Sequence, residues 1–237
     1  MTSERIQILD KLADVDAVAW NELAGDNPFL RFEFLNNLER SACVTQETGW
    51  EPRHILLWRG TSLIGAMPLY LKHHSYGEYI FDWAWADAYR RHGLNYYPKL
   101  SSAIPFTPVS GARLLSADPV AREKLASAAI ALAEESKASS LHILYPTQGQ
   151  SEDLKNLGYM LRTSTQFHWQ NRGYQCFDDF LAEMSHDKRK KIKQERRKIA
   201  EQNIRFVTLE GSEIAAHDWQ FFNRCYRTTY QQHHSSP

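Results

Sequence analysis

A regular alternation of strand and helix patterns between residues 111 and 170 constrains the fold of this chain most. Asp118 and Pro119 mark a helix start, because aspartate caps helix N-termini and proline is favoured at the first helical position. Ser151 is the predicted cap of a second, shorter helix. The predicted elements are a strand at 111–115, a helix at 120–137, a strand at 141–145, a helix at 152–157 and a long strand at 159–170. Strands that alternate with helices in this way predict an α/β fold.

The residues before this alternation predict antiparallel strands, which makes the expected sheet a mixed one. Two apolar runs flank Arg59, Gly60 and Thr61, and this pattern is typical of a hairpin whose turn uses the glycine. The other predicted elements are strands at 5–12, 79–83 and 98–103 and helices at 14–24, 28–41 and 86–92. The fold class expected from the whole pattern is α/β, in the sense of an α+β arrangement around a mixed sheet.

The last third of the chain predicts a separate and incomplete domain. Asn171, Arg172 and Gly173 are typical of a linker, and helices are expected at 177–185, 186–202 and 215–232. Only one strand, at 204–210, is convincing there, and a single strand cannot form a stable sheet. We therefore expect one domain over residues 1–168 and the beginning of a second over residues 169–237, as part of a longer protein.

Positive charge is concentrated in one predicted helix. The chain has 28 basic and 28 acidic residues, yet eight of the eleven residues from Lys188 to Lys198 are Lys or Arg. Such a helix attracts polyanions, so we predict contacts with a tRNA or another phosphate-bearing substrate. The alternative is a solvated helix that the acidic remainder of the chain balances. The predicted polyanion-binding residues are Lys188, Arg189, Lys190, Lys191, Lys193, Arg196, Arg197 and Lys198.

Several classes of protein are excluded by what the sequence lacks. No apolar run reaches the roughly 18 residues of a membrane-spanning helix, and the N-terminus is too charged for a signal peptide. The three cysteines are far apart, so neither a disulfide framework nor a cysteine-rich zinc site is expected. The absence of HxH and HExxH patterns leads us to predict no metal site. A cytoplasmic protein is the resulting expectation.

Residues 72–110 mix carboxylates, histidines and aromatic residues densely, which predicts a functional cleft. Glu78 and Asp82 share a face of the predicted strand, and paired carboxylates suit a general base that deprotonates an attacking amine. We predict them as catalytic residues. The predicted substrate-binding residues are His74, Tyr76, Trp85, Asp87, Tyr96, Tyr97 and Lys99. The alternative is a structural network in which buried carboxylates support turns and the aromatic side chains fill the core.

Three long strings of residues give the chain a resemblance to a known family. They are HSYGEYIFDWAWADAYRRHG at 74–93, PFTPVSGARLL at 105–115, and the segment from FHWQNRGYQCF through the basic helix to 206. These strings, with YYPKL at 96–100, resemble the FemAB-like branch of the GNAT acyltransferase superfamily in bacteria, whose proteins are associated with peptidoglycan. The resemblance implies two GNAT-like domains in tandem.

The resemblance also implies the transfer of an acyl or aminoacyl group to an amine, with aminoacyl-tRNA or acyl-CoA as the donor. Binding of CoA is disfavoured at the helix after residue 118, because Asp118 places a carboxylate where a pyrophosphate is expected and no glycine pair precedes it. GxSxG is absent and no cysteine lies in a recognisable catalytic string, so we expect direct transfer, without a covalent enzyme intermediate, to a cell-wall precursor. The alternatives are a non-catalytic module that recognises a polyanion and an acyl-CoA-dependent N-acetyltransferase.

Overall fold

The computed structural model describes residues 3–233, which divide into two compact units. The first unit ends at Ser164 and the second begins at Thr165. None of the helices formed by residues 3–233 has the length and apolar character that crossing a bilayer requires.

Seven strands, all in the first unit, form two sheets within the described residues. The strands are β1 (Glu4–Leu9), β2 (Trp50–Pro52), β3 (His54–Arg59), β4 (Ser62–Met67), β5 (Tyr70–Lys72), β6 (Lys99–Ser102) and β7 (Leu141–Ile143). The first sheet has the order β1-β3-β4 and is antiparallel throughout. Gly60, with φ of 60°, makes the predicted hairpin turn between β3 and β4. The second sheet has the order β2-β5-β6-β7, and only β6 and β7 run parallel.

Eight α-helices accompany the sheets in the described part of the chain. They are α1 (Ala17–Ala24), α2 (Phe32–Arg40), α3 (Trp83–Arg91), α4 (Pro119–Glu135), α5 (Gln148–Asn156), α6 (Phe177–Ala182), α7 (His186–Glu201) and α8 (Ala216–Gln232). A parallel strand pair requires a crossover connection, and the chain between β6 and β7 contains α4. The predicted α+β fold with a mixed sheet is thus confirmed.

Helix α4 forms because its local signals and its apolar spacing agree. The Asp118 side chain accepts a hydrogen bond from the Val120 amide at 2.9 Å, which satisfies one of the free donors of the first turn. Ala121, Leu125 and Ala129, four residues apart, lie on one face and are buried. This face packs in a core that also contains residues of β3, β4 and β6.

Several predicted elements of the first unit were wrong in type or in position. Residues 79–83 form no strand, because α3 begins at Trp83, while 111–115 make only isolated bridges. Helix α2 begins at Phe32 and not at Pro28, since the intervening residues form a turn. Thr147, and not Ser151, caps α5 by accepting a bond from the Gln150 amide.

The two long C-terminal strands predicted at 159–170 and 204–210 are also absent. The first segment runs on from Tyr159 without regular structure, and the second lies between α7 and α8 in a unit that has no strand among its described residues. A strand is stable only when its backbone groups pair with a neighbour, so alternating side chains alone do not produce one.

Candidate functional site

The centre of the candidate site is the Lys99 side chain at the start of β6, which is fully buried. Its Nζ donates hydrogen bonds to Glu78 Oε2 at 2.8 Å, Asp82 Oδ2 at 2.5 Å and Ser75 Oγ at 2.9 Å. Ser75, Glu78 and Asp82 are themselves buried. The buried lysine therefore joins the two carboxylates that were predicted as the catalytic pair.

The loop between β5 and α3 carries three of these four residues. Gly77 shapes the loop, since it has φ of 79° and a Cβ there would lie 2.7 Å from the Phe106 ring. Glu78 and Asp82 were expected to converge because they share a strand face, but no strand is present. They converge because both carboxylates turn inward to the same ammonium group.

Two tyrosine hydroxyls connect this buried cluster to a surface cleft. The Tyr96 hydroxyl donates to Asp82 Oδ2 at 2.6 Å, and the Tyr97 hydroxyl lies 2.8 Å from Ser75 Oγ. Both tyrosines also line an open cleft of about 460 Å³. The remaining lining residues are Ala86, Asp87, Arg90, Leu94 and Asn95. A ligand in the cleft would therefore meet two phenol side chains whose hydroxyls are tied to buried groups.

Burial and ion pairing shift the pKa values of the two carboxylates in opposite directions. Burial raises the pKa of Glu78, although the charge of Lys99 and its hydrogen bond oppose this effect. Burial also acts to raise the pKa of Asp82, but hydrogen bonds from Lys99, Ser75 and Tyr96 outweigh it, and the pKa is lowered. Asp82 is therefore the more firmly ionised of the two carboxylates, which makes it a weak base.

A second buried lysine, Lys72 on β5, adjoins this cluster. Its Nζ donates to the Tyr76 carbonyl at 3.3 Å and lies 3.4 Å from the centroid of the Trp50 ring. Burial lowers the pKa of Lys72 to about 7, with Lys99 acting in the same direction and Glu78 opposing it. Two lysines and two carboxylates thus share one buried region. Lys72 is not among the predicted site residues, because a lysine is usually exposed and its sequence context gives no sign of burial.

His142 on β7 extends the hydrogen-bonded chain beyond Tyr96. Its Nε2 lies 2.8 Å from Ser140 Oγ and 3.4 Å from the Tyr96 hydroxyl. Burial, with a smaller influence of Lys99, lowers the pKa of His142 to about 4, so that the imidazole is neutral at neutral pH. His142 is not among the predicted site residues, because only the parallel pairing of β6 and β7 brings it to the site.

Four of the predicted substrate-binding residues lie outside the buried cluster. Asp87 lines the cleft but is engaged in ion pairs with Arg90 and Arg91. Tyr76 and Trp85 are exposed, and the ring of the half-buried His74 lies 5.1 Å from the ring of Tyr76. Within residues 3–233 there is no group of three or more His, Cys, Asp or Glu side chains arranged to hold a metal ion.

The predicted polyanion-binding residues lie on α7 in the second unit. Lys193 pairs with Asp178 at 2.8 Å, and the Arg196 guanidinium lies 4.6 Å from the centroid of the Phe177 ring. These two contacts join α7 to α6. No residue of α7 is buried, and the other basic side chains have no ion-pair partner among the described residues. They are Lys188, Arg189, Lys190, Lys191, Arg197 and Lys198.

Comparison with known proteins identifies the family of the chain. No curated protein sequence matches it. A family model described as FemAB-like, peptidoglycan biosynthesis/recognition, matches residues 11–237, which is nearly the whole sequence. The chain therefore belongs to the FemAB-like peptidoglycan biosynthesis/recognition family.

Proposed function

We propose that this protein transfers an acyl or aminoacyl group directly to an amine of a cell-wall precursor. The observation that carries the proposal is the cleft lined by Tyr96 and Tyr97, whose hydroxyls are held by the buried cluster around Lys99. Catalytic groups held by buried partners need little reorganisation during a reaction. The family match supports a cell-wall precursor as the acceptor.

In this proposal Glu78 and Asp82 orient the site and do not serve as the base that meets the substrate. Both carboxylates are buried and bonded to Lys99, which removes them from contact with a ligand in the cleft. Asp82 fixes the Tyr96 hydroxyl directly. Substrate orientation by fixed groups contributes to rate because it converts a bimolecular encounter into a positioned one.

The donor in this proposal carries phosphate groups that contact α7. The exposed lysines and arginines of α7 favour an aminoacyl-tRNA, because neutralised phosphates release counterions and strengthen binding. Acyl-CoA is the less favoured donor. A pyrophosphate in the first unit would bind at the N-terminus of α4. The Asp118 carboxylate occupies this position and accepts a hydrogen bond from the Val120 amide.

A two-domain organisation is part of the same proposal. The first GNAT-like domain would span residues 1–168, and a second would begin at residue 169. The strand-helix-strand segment formed by β6, α4 and β7 supports the proposal that residues 1–168 form a GNAT-like domain.

A transfer assay tests the proposed function. The chain is incubated with a synthetic muramyl peptide that has a free side-chain amine, and with either charged tRNA or acetyl-CoA. We expect mass spectrometry to detect an added aminoacyl group on the peptide with charged tRNA. Tyr96→Phe, which removes the hydroxyl that donates to Asp82 and so loosens the Tyr96 ring at the cleft, is expected to reduce the rate about 100-fold, as misplacement of a positioning group does.

The matched control is Tyr159→Phe, which removes a different tyrosine hydroxyl, one that donates to the Ala126 carbonyl of α4. It is expected to leave the rate near that of the wild type. An added acetyl group with acetyl-CoA alone would make the protein an acyl-CoA-dependent N-acetyltransferase. The absence of any added group, with both donors, would refute the transferase proposal.

A non-catalytic recognition module is the second candidate function. It is favoured by the engagement of all three carboxylates near the cleft, since Glu78 and Asp82 bind Lys99 while Asp87 binds Arg90 and Arg91. Each carboxylate that the structure describes at or near the cleft is then already engaged with a cation. A chain that binds the muramyl peptide and tRNA without modifying the peptide would be such a module.

A further inference from the structure

Four side chains, three on the loop between β5 and α3 and one on the first residue of α3, make a continuous series of ring contacts, which we call the aromatic ladder: His74, Tyr76, Trp83 and Phe81. Consecutive ring centroids are 5.1 Å apart for His74 and Tyr76 and 5.2 Å apart for Tyr76 and Trp83. The rings of Trp83 and Phe81 lie 6.3 Å apart and are inclined by only 17°. Tyr76, Phe81 and Trp83 are 64%, 66% and 43% exposed, respectively.

Buried polar contacts of the same loop hold the aromatic ladder in place. Glu78 and Asp82 lie between its members in sequence, and both are anchored to the buried Lys99. The Tyr76 carbonyl accepts a bond from the buried Lys72. Exposed apolar area costs free energy unless it serves a partner, and a patch of clustered rings on a fixed loop marks a binding surface. The loop needs little ordering when a ligand binds.

The surface of the ladder is electrically neutral. Its two neighbouring carboxylates are buried against Lys99, and burial, with the charge of Lys72, lowers the pKa of His74 so that it is uncharged at neutral pH. Nucleic acids and anionic membranes require cations to bind their phosphates, and no ladder residue supplies one. The ladder therefore complements a neutral ligand that has flat, weakly polar faces.

We infer that the aromatic ladder binds the sugar rings of a cell-wall glycan. One face of a pyranose ring presents C–H bonds with a partial positive charge, and these complement the negative face of an aromatic ring. The nearly parallel rings of Phe81 and Trp83 offer such faces in one orientation. This inference rests on the proposed function, because it gives the precursor a second binding site, for sugar, beside the cleft for its amine.

Calorimetric titration of the full chain with the β-linked trimer of N-acetylglucosamine tests the inference. We expect saturable binding that Trp83→Ala and Phe81→Ala each weaken about fivefold, since an aromatic contact of this kind is worth roughly 1 kcal/mol. Trp219→Ala is the matched control, because Trp219 is 58% exposed on α8. It is expected to leave the affinity unchanged. Circular dichroism verifies that each variant is folded.

Three results would overturn the inference: no binding of the trimer, binding that neither ladder variant weakens, or tighter binding of uridine diphosphate or phosphatidylglycerol vesicles that Trp83→Ala abolishes. Failure of the inference is distinct from failure of the proposed function. Transfer to a peptide that lacks sugar tests the function alone. If that transfer occurs while the trimer does not bind, the glycan site is refuted and the transferase remains.

Discussion

Lys72 and Lys99 lie directly opposite each other on the antiparallel strands β5 and β6, and both side chains are excluded from solvent. Like charges at facing positions destabilise a strand pair. Here Glu78 and Asp82 enter the same region and bind Lys99, which offsets the repulsion. The arrangement places two basic and two acidic side chains together in the interior, next to the cleft.

Replacement of Lys99 by Met is expected to destabilise the fold strongly. The change leaves Glu78 and Asp82 buried without their cation, and breaking a buried ion pair in this way costs about 3–5 kcal/mol. Urea unfolding followed by circular dichroism measures the loss. Lys124→Met is the matched control, because Lys124 pairs with Glu4 at the surface, where solvent screens the pair and its contribution to stability is small.

The triple variant Lys99→Met, Glu78→Gln, Asp82→Asn separates charge from packing. It removes the uncompensated charges along with the lysine, so it should recover part of the stability that Lys99→Met loses. If the triple variant is less stable than Lys99→Met, the carboxylates are stabilised by other partners, and the central role of Lys99 is wrong.

Stability is expected to rise with pH above 7 because of Lys72. The pKa of Lys72 is about 7 in the folded protein, whereas that of an ordinary exposed lysine is 10.5. Between pH 7 and pH 10.5 the unfolded chain therefore binds more protons than the folded protein does. The free energy of unfolding then increases with pH across that window. Lys72→Met should give a flatter profile than the wild type between pH 7 and about 10 in urea titrations. Parallel profiles for the two proteins would contradict a neutral Lys72.

The sequence anticipated those parts of the fold and site whose signals are local. Asp118 and Pro119 begin α4 as predicted, because a cap depends only on the adjacent backbone. Glu78 and Asp82 do lie together, but the cause is Lys99, a partner 17 residues beyond Asp82. Lys72 and His142 were missed, since their burial depends on the register of β5 and β7 against β6. Strand pairing between distant segments leaves no local pattern.

His142 is expected to remain neutral until the pH is well below the usual range of histidine. The pKa of His142 is about 4 in the folded protein, whereas that of an ordinary histidine is 6.5. Between pH 4 and pH 6.5 the unfolded chain therefore binds more protons than the folded protein does. Stability therefore falls as the pH decreases from 6.5 to 4. His142→Gln should reduce this dependence, and an NMR titration of the imidazole measures the pKa directly. A midpoint near 6.5 would show that burial does not control this residue.

The exposed lysines of α7 are expected to govern the binding of tRNA. Lys188, Lys190 and Lys191 are exposed without an ion-pair partner among the described residues, whereas Lys193 is engaged with Asp178. Replacing the three free lysines by Ala removes three phosphate contacts, which should reduce the slope of log affinity against log salt by about 2–3. Fluorescence anisotropy with labelled tRNA across salt concentration measures this slope.

A charge-matched control distinguishes a local site from general attraction. Lys11, Arg40 and Lys155 are exposed in the first unit, and their replacement by Ala changes the net charge by the same amount. If α7 binds the phosphates, this control keeps the wild-type slope, because the slope counts only the cations that neutralise phosphates in the complex. Equal losses in both variants would mean that tRNA responds only to net charge. The basic helix would then be a solvated surface, and the phosphate-bearing donor would have to bind elsewhere on the chain.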